Sequence, residues 1–365
     1  GEDFYYTPPA GFKALNTDNL SDPAIALPTD HFNTVLYSGN DGTNAITGAG
    51  FQPDVTWIKA RNGTVDHYLF DSVRGVRKAI WPNTTNSEHL YAAGWHLTSW
   101  GSDGFTVENN SVGTNASGTN YASWNWEAGG TAVANNNGSL PDGDVMVSAN
   151  PTAGFSAGTY IGNGTAGATV GHGLSVTPEM IIIKNLDDPV AHSWAVYHES
   201  VGATAALALN DAGVITTSIL FFNNTPPTPS VFSIGVGGTN TDTYSRVFYA
   251  FHSVEGYSKV GSFVGNGSTD GTFIYTGFSP AYVFIKKYSA SGDDWYQFDD
   301  KRDAYNAVNK RLALNGTQAE GSGNPIDFLS NGIKIRDSSS SFNGSGTSMI
   351  YYAVAESPFQ TSNAR

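Results

Sequence analysis

One design occurs three times in this chain and constrains its fold more than any other feature. Pro53 precedes DVTWI and Lys59, Pro178 precedes EMIII and Lys184, and Pro280 precedes AYVFI and Lys286. The step from Pro to Lys is six residues each time. Upstream stand the Gly-Asn pairs Gly39-Asn40, Gly162-Asn163 and Gly265-Asn266, and downstream the apolar stretches ending at Asn83, Asn210 and Asn315. Each copy closes on an aromatic strand, read at Trp124, Tyr249 and Tyr352. The lysines are offset by 125 and 102 residues and the closing aromatics by 125 and 103, so whole units of domain size are repeated.

Residue chemistry decides what such units can be. Charged residues make up only 14% of the chain, so Asn, Thr, Ser and 42 Gly must supply most of the polar surface. That mixture suits short strands joined by tight turns and suits helices poorly. With 20 Phe, 18 Tyr and 8 Trp, each unit can bury a core. The reading is all-β: three tandem antiparallel β-sandwich repeats, jelly-roll or lectin-like, of about 100 residues each. The third strands lack polar alternation, and Met180 to Ile183 in particular reads as the centre of a sheet buried on both faces. The closing strands place Trp124 with Trp126, Tyr249 with Phe251, and Tyr352 with Val354 on one core-facing side at period two.

In chain order, residues 1–30 read as the terminal strand and linker of a preceding domain, and residues 31–129 as the first repeat. Residues 130–153, with Asn-Gly and Asp-Gly turn signals, read as a linker hairpin. Residues 154–255 and 256–365 are the second and third repeats, joined with almost no linker and so expected to be rigidly coupled. One short helix is expected over Asp303 to Leu312, where apolar residues recur at helical spacing. The start at Gly1 suggests a cleaved precursor or a trimmed chain, and the N-terminal residues do not read as a signal peptide.

Several classes of function are disfavoured. A net charge of −14 with 18 scattered Lys and Arg argues against nucleic-acid binding and against docking on an anionic membrane. No apolar run approaches the roughly 18 residues of a membrane span. The lack of Cys removes thiol catalysis and thiolate metal sites, and the eight His form no metal-ligand pair at helical spacing. No cofactor, metal site or catalytic set is expected. Gly154 to Gly158 fits G-x-S-x-G, but a strand follows where a nucleophile elbow needs a helix. Gly162 to Gly167 fits G-x-G-x-x-G with no helix after it, so a turn is the preferred reading. Eleven Asn-x-Ser/Thr sequons, from Asn19 to Asn343, are read as turn chemistry before glycan sites. The loop Ser38 to Asn44 lacks the terminal Glu of an EF-hand, leaving weak calcium binding as the alternative.

Two features remain for binding. Lys59, Lys184 and Lys286 are read as snorkelling from a sheet end. The first repeat adds Trp81, Trp95 and Trp100 beside His89 and Tyr91, and exposed aromatic faces near polar groups suit stacking on sugar rings. Burial of those tryptophans would instead indicate a purely structural role.

The stretches HYLFDSVRG, WGSDGFTVENN, NYASWNWEAGG, the run from Ala149 to Asn185 and the ending YYAVAESPFQTSNAR together resemble tailed-bacteriophage virion proteins, of tail-fibre or tail-associated kind. PPAGFKALNTDNL is similar to the final strand of SPRY-type β-sandwiches in phage tail proteins. The resemblance implies assembly in a bacterial cytoplasm, a place on the virion among other virion proteins, and a homo-oligomer, with a trimer the family-level expectation. It supplies no catalytic residues. The expected function is a non-enzymatic adhesin for host cell-surface polysaccharide. The alternatives are a structural spacer or capsid or tail decoration, and a polysaccharide depolymerase.

Overall fold

The structure, a computed structural model, describes residues 22–289 and 292–362. The SPRY-like stretch and the sequon at Asn19 lie outside the described residues. The fold is all-β, built from antiparallel sheets. Five strands frame each unit. The first strands are Phe32–Ser38, Phe155–Ile161 and Ser258–Val264. The second are Asn44–Thr47, Ala168–Gly171 and Phe273–Tyr275. The third are Val55–Ala60, Met180–Asn185 and Phe278–Lys287. The fourth are Tyr68–Asp71, Ala195–His198 and Tyr296–Asp299. The closing strands are Asn120–Trp126, Ser245–Phe251 and Ser348–Pro358.

In every unit the main sheet runs first, closing, third, fourth. The second strand lies across the unit's own core and pairs with other partners. In the third unit the sheet continues round to the second strand as one eight-stranded, nearly closed layer. Residues 130–153 supply the strands Val133–Ala134 and Val145–Asn150, which pair with each other and extend the second unit's main sheet.

Each main sheet buries both faces, and this explains the unbroken apolar third strands. Ile58 and Ala60, Ile181 and Ile183, and Val283 and Ile285 face three separate unit cores. The alternate residues Val55 and Trp57, Met180 and Ile182, and Tyr282 and Phe284 face a single cluster shared by all three units. Trp124 and Trp126, Tyr249 and Phe251, and Tyr352 and Val354 join that same cluster. A strand wedged between two cores has no solvent side, so alternation between apolar and polar residues disappears. A small apolar cavity of about 30 Å³ lies inside the shared cluster, lined from all three units by residues including Trp57, Trp126, Trp194, Tyr249 and Tyr282.

Hydrogen bonds between the units form a closed ring. Equivalent residues immediately before the fourth strands reach across. His67 of unit one donates from Nε2 to the Ala313 carbonyl of unit three at 3.0 Å. Trp194 of unit two donates to the Trp81 and Thr84 carbonyls of unit one, both at 3.1 Å. Trp295 of unit three donates to the Ala208 carbonyl of unit two at 3.0 Å. Contacts that run one to three, three to two and two to one are head-to-tail and close after three steps, giving the chain a pseudo-threefold arrangement. The repeated Asn explains itself here: Asn83, Asn210 and Asn315 accept from the backbone N–H of His67, Trp194 and Trp295 respectively.

Two expectations are corrected. The three lysines do not snorkel. Lys59, Lys184 and Lys286 are 0%, 1% and 0% exposed, and each ammonium is held by two backbone carbonyls. Lys184 reaches Thr85 of unit one and Lys286 reaches Ala212 of unit two, so these two also tie units together. The lysine falls two residues after the aromatic or aliphatic residue facing the shared cluster, and so points the same way, into the seam between units. Burial lowers all three pKa values to about 8, against the pull of Asp66, Asp188 and Asp293. The expected helix over Asp303 to Leu312 is instead largely the strand Val308–Ala313. Val308 and Leu312 are four apart, a spacing that satisfies period two as well as a helix, and sheet pairing on both sides decides it.

Candidate functional site

The motifs with a chemical look are structural. Ser156, centre of the G-x-S-x-G match, lies mid-strand and fully buried. The Gly-Asn pairs are locks between the first strand and the loop before the closing strand. Asn115, Asn240 and Asn343 are fully buried, and each accepts from the backbone N–H of Asn40, Asn163 or Asn266 while its own amide donates back to that Asn side chain. The preceding glycine is obligatory: a Cβ at Gly39, Gly162 or Gly265 would sit 2.2 to 2.4 Å from a carbonyl oxygen of the same loop. The sequons at Asn115 and Asn343 are therefore closed to any glycan. In the loop Ser38 to Asn44, the Asn40 and Asp41 side chains accept from the Gly42 and Ser117 backbone.

Four of the five aromatic candidates gather at one corner of unit one. His96 is the buried centre, its ring 4.9 Å from Tyr68 and 4.0 Å from Tyr91. His89 packs edge-on against Tyr91 at 4.4 Å, and Trp95 lies 6.3 Å from His96. Trp81 rests against Tyr68 at 5.8 Å, and its carbonyl belongs to the seam with unit two. Trp100 stands at the far end of the strand His96–Gly101, beside the Gly101 to Gly104 turn, half-buried on the unit-one core. The outward face is thus His89, Trp95 at 36% exposure and the half-buried Tyr91, with Trp81 and Trp100 committed mainly to packing. Burial, then Tyr68, raises the Tyr91 pKa, so its phenol stays a neutral donor.

His96 also sets a pH response. Burial, and then His89, lowers its pKa to about 4, and burial does the same to His198 in the seam between units two and three. An unfolded chain protonates both near 6.5. Their stabilisation is present above that value and is lost as pH falls towards 4. Lowering pH from 7 to 5 is expected to cost roughly 2 kcal/mol per histidine, read as a fall in the urea midpoint. A midpoint unchanged over that interval would contradict the burial of both rings.

Tempting carboxylates are spent within the fold. Asp71 pairs with Arg74 at 2.6 Å and Asp299 with Arg302 at 2.5 Å, all fully or nearly fully buried. Asp293 pairs with Lys287, and Asp294 holds Asn315 at 2.8 Å. Among the described residues no group of three or more His, Cys, Asp or Glu is placed to hold a metal ion, and no helix is long and apolar enough to cross a membrane.

Elsewhere, two adjoining hollows of about 310 and 270 Å³ on unit three share Glu255, Gly256, Tyr275 and Gly277. Sequence reasoning passed over Tyr275 because it sought tryptophan clusters. A profile described as a domain of unknown function, DUF7483, matches residues 27–358, and the chain belongs to that family. The match runs from before the first strand of unit one to the end of the last closing strand, so the family's domain is the whole three-unit array. No curated protein and no solved structure matches the chain.

Proposed function

We infer that the chain is a non-enzymatic virion protein of a tailed bacteriophage, tail fibre or tail-associated, which presents a rigid surface for host polysaccharide. The observation that carries this reading is the set of aromatic faces left exposed on a scaffold that buries most of its large aromatics: His89 and Trp95 at one corner, Phe273 and Tyr275 at another, with Tyr305 exposed apart from both. Rigid, partly exposed aromatic rings flanked by polar groups suit sugar stacking at little entropic cost. Several copies on one particle would make weak single sites sufficient. The pseudo-threefold ring uses up the equivalent faces within one chain, so a homo-oligomer, trimeric or otherwise, would form through other surfaces.

The packing of Trp81 and Trp100 supports a second reading, a spacer or decoration protein. Binding of the purified chain to bacterial cells and envelope polysaccharides, with analysis of any products, separates the readings. Retention without shortened chains is the expected result. Released oligosaccharides would make it a depolymerase, and retention by no surface would leave the spacer.

A further inference from the structure

We propose that the trough around Tyr275 on unit three is a binding site for a neutral or amino-bearing glycan. The proposal rests on the carbohydrate reading above and locates it at one of the exposed aromatic corners that reading names.

The second strands of the three units are equivalent through one buried residue each, Ile46, Val170 and Ile274, which enters the core of its own unit. The flanking residues lie on the opposite face. In units one and two they are small: Ala45 and Thr47 are exposed, while Thr169 and Gly171 lie under residues 135–139, with Gly171 buried. In unit three they are Phe273 and Tyr275, exposed by 44% and 63%. The fold is thus built twice without aromatics at these positions. Large apolar rings held out towards water in the third copy contribute little to its core, and they are the feature that distinguishes this surface.

The surroundings supply concavity and polarity. Tyr275 stands between the two hollows, with the 255–256 turn beneath. Together these are of the size range of small-ligand sites. Pro23, Pro358 and Phe359 give the first hollow an apolar wall, while Asp22, Glu255 and Gln360 bring hydrogen-bonding groups; the second adds Ser258 and Lys259. A flat ring for the CH face of a pyranose, next to carboxylate and amide groups for its hydroxyls, is the pairing sugar recognition needs. Gly256 suits the turn because φ is +76° there, in the left-handed region. The turn that carries Glu255 is held by the Tyr257 and Ser258 backbone N–H groups, which donate to the Val254 carbonyl at 3.0 and 2.9 Å. Charge selects among sugars. Asp22 and Glu255 outnumber Lys259 in the trough, and the chain carries −14 overall, so uronic or sialic acids are disfavoured and neutral or amine-bearing units favoured.

The test uses the full chain with N-acetylglucosamine oligomers, glucosamine oligomers, cello-oligosaccharides and polygalacturonate as probes, with bacterial cells in parallel. Tyr275→Ala and Phe273→Ala alter exposed side chains, and unchanged thermal unfolding checks that they fold. Retention of a neutral or amino oligosaccharide by the wild type is expected, weakened about tenfold or more by Tyr275→Ala and preserved by Tyr275→Trp. Equal retention by wild type and Tyr275→Ala would overturn the site and leave the adhesin reading standing. Cell binding without retention of any neutral or amino probe would likewise overturn the site alone, as would preference for polygalacturonate. Binding to neither cells nor glycans would overturn both.

Discussion

Asp299→Ala is expected to destabilise the chain by about 3–5 kcal/mol, because it removes the nearest counter-ion of a buried guanidinium and leaves it only the longer 3.3 Å contact to Glu320. Asp299 accepts from Arg302 Nε at 2.5 Å, from the Arg302 backbone N–H at 2.8 Å and from the Trp124 indole of unit one at 3.0 Å. Neither Asp299 nor Arg302 has solvent-exposed side-chain surface, so water cannot replace the lost acceptor. The indole N–H would be orphaned at the same time, adding the cost of an unmade buried hydrogen bond. For a chain of this length the loss corresponds to a fall in melting temperature of roughly 5 °C. Removing both charges in Asp299→Leu with Arg302→Met should recover the ionic part of the loss and leave the cost of the orphaned Trp124 indole. Unchanged melting in Asp299→Ala would mean that the seam between units one and three is wet or absent. Unit one repeats the arrangement, with Asp71 accepting from Arg74 at 2.6 Å and from Tyr249 of unit two at 2.6 Å. Unit two places His198 at the equivalent position against the Tyr351 main chain of unit three, so the third seam is polar without being ionic.

A single unit cut from the chain is expected not to fold. Residues 130–255 contain all of unit two with its extra hairpin and a complete inner core. Their other face would bare Phe155, Met180, Ile182, Trp194, Tyr249 and Phe251, all part of the shared cluster. At about 1.5–3 kcal/mol per large side chain, the lost burial amounts to roughly 9–18 kcal/mol, comparable with the whole stability of an ordinary domain. The fragment should bind a hydrophobic dye and lack fixed aromatic circular dichroism, as a loosely packed chain does. A sharp melting transition from this fragment would show that unit two is self-sufficient.

The sequence carried the repeat, the strand pattern and the identity of the inward-facing aromatics, because period two and fixed spacing are local properties. Met180 to Ile183 reads as a doubly buried strand, and it is one. The partner on its second face was not legible. An unbroken apolar run says that both sides are covered, and cannot say that the cover on one side is the neighbouring repeats. The lysines were misread for the same reason. Lys is almost never fully buried on residue type alone, and what makes it acceptable is a pair of backbone carbonyls at the seam, from its own unit for Lys59 and from its own and a neighbouring unit for Lys184 and Lys286. Trp81 and Trp100 could not be separated from Trp95 by composition, since all three sit in loop-like surroundings. Phe273 and Tyr275 were within reach: aligning the second strands on Ile46, Val170 and Ile274 puts two aromatics where the other copies carry small residues.

These points meet in one claim, that three sandwiches share a single core and behave as one body. Independent domains on a string unfold separately, whereas units that share a core must unfold together. Differential scanning calorimetry of the whole chain tests this directly. The account predicts one transition whose van't Hoff and calorimetric enthalpies agree. Two or three resolved transitions, or a van't Hoff enthalpy near one third of the calorimetric value, would contradict it.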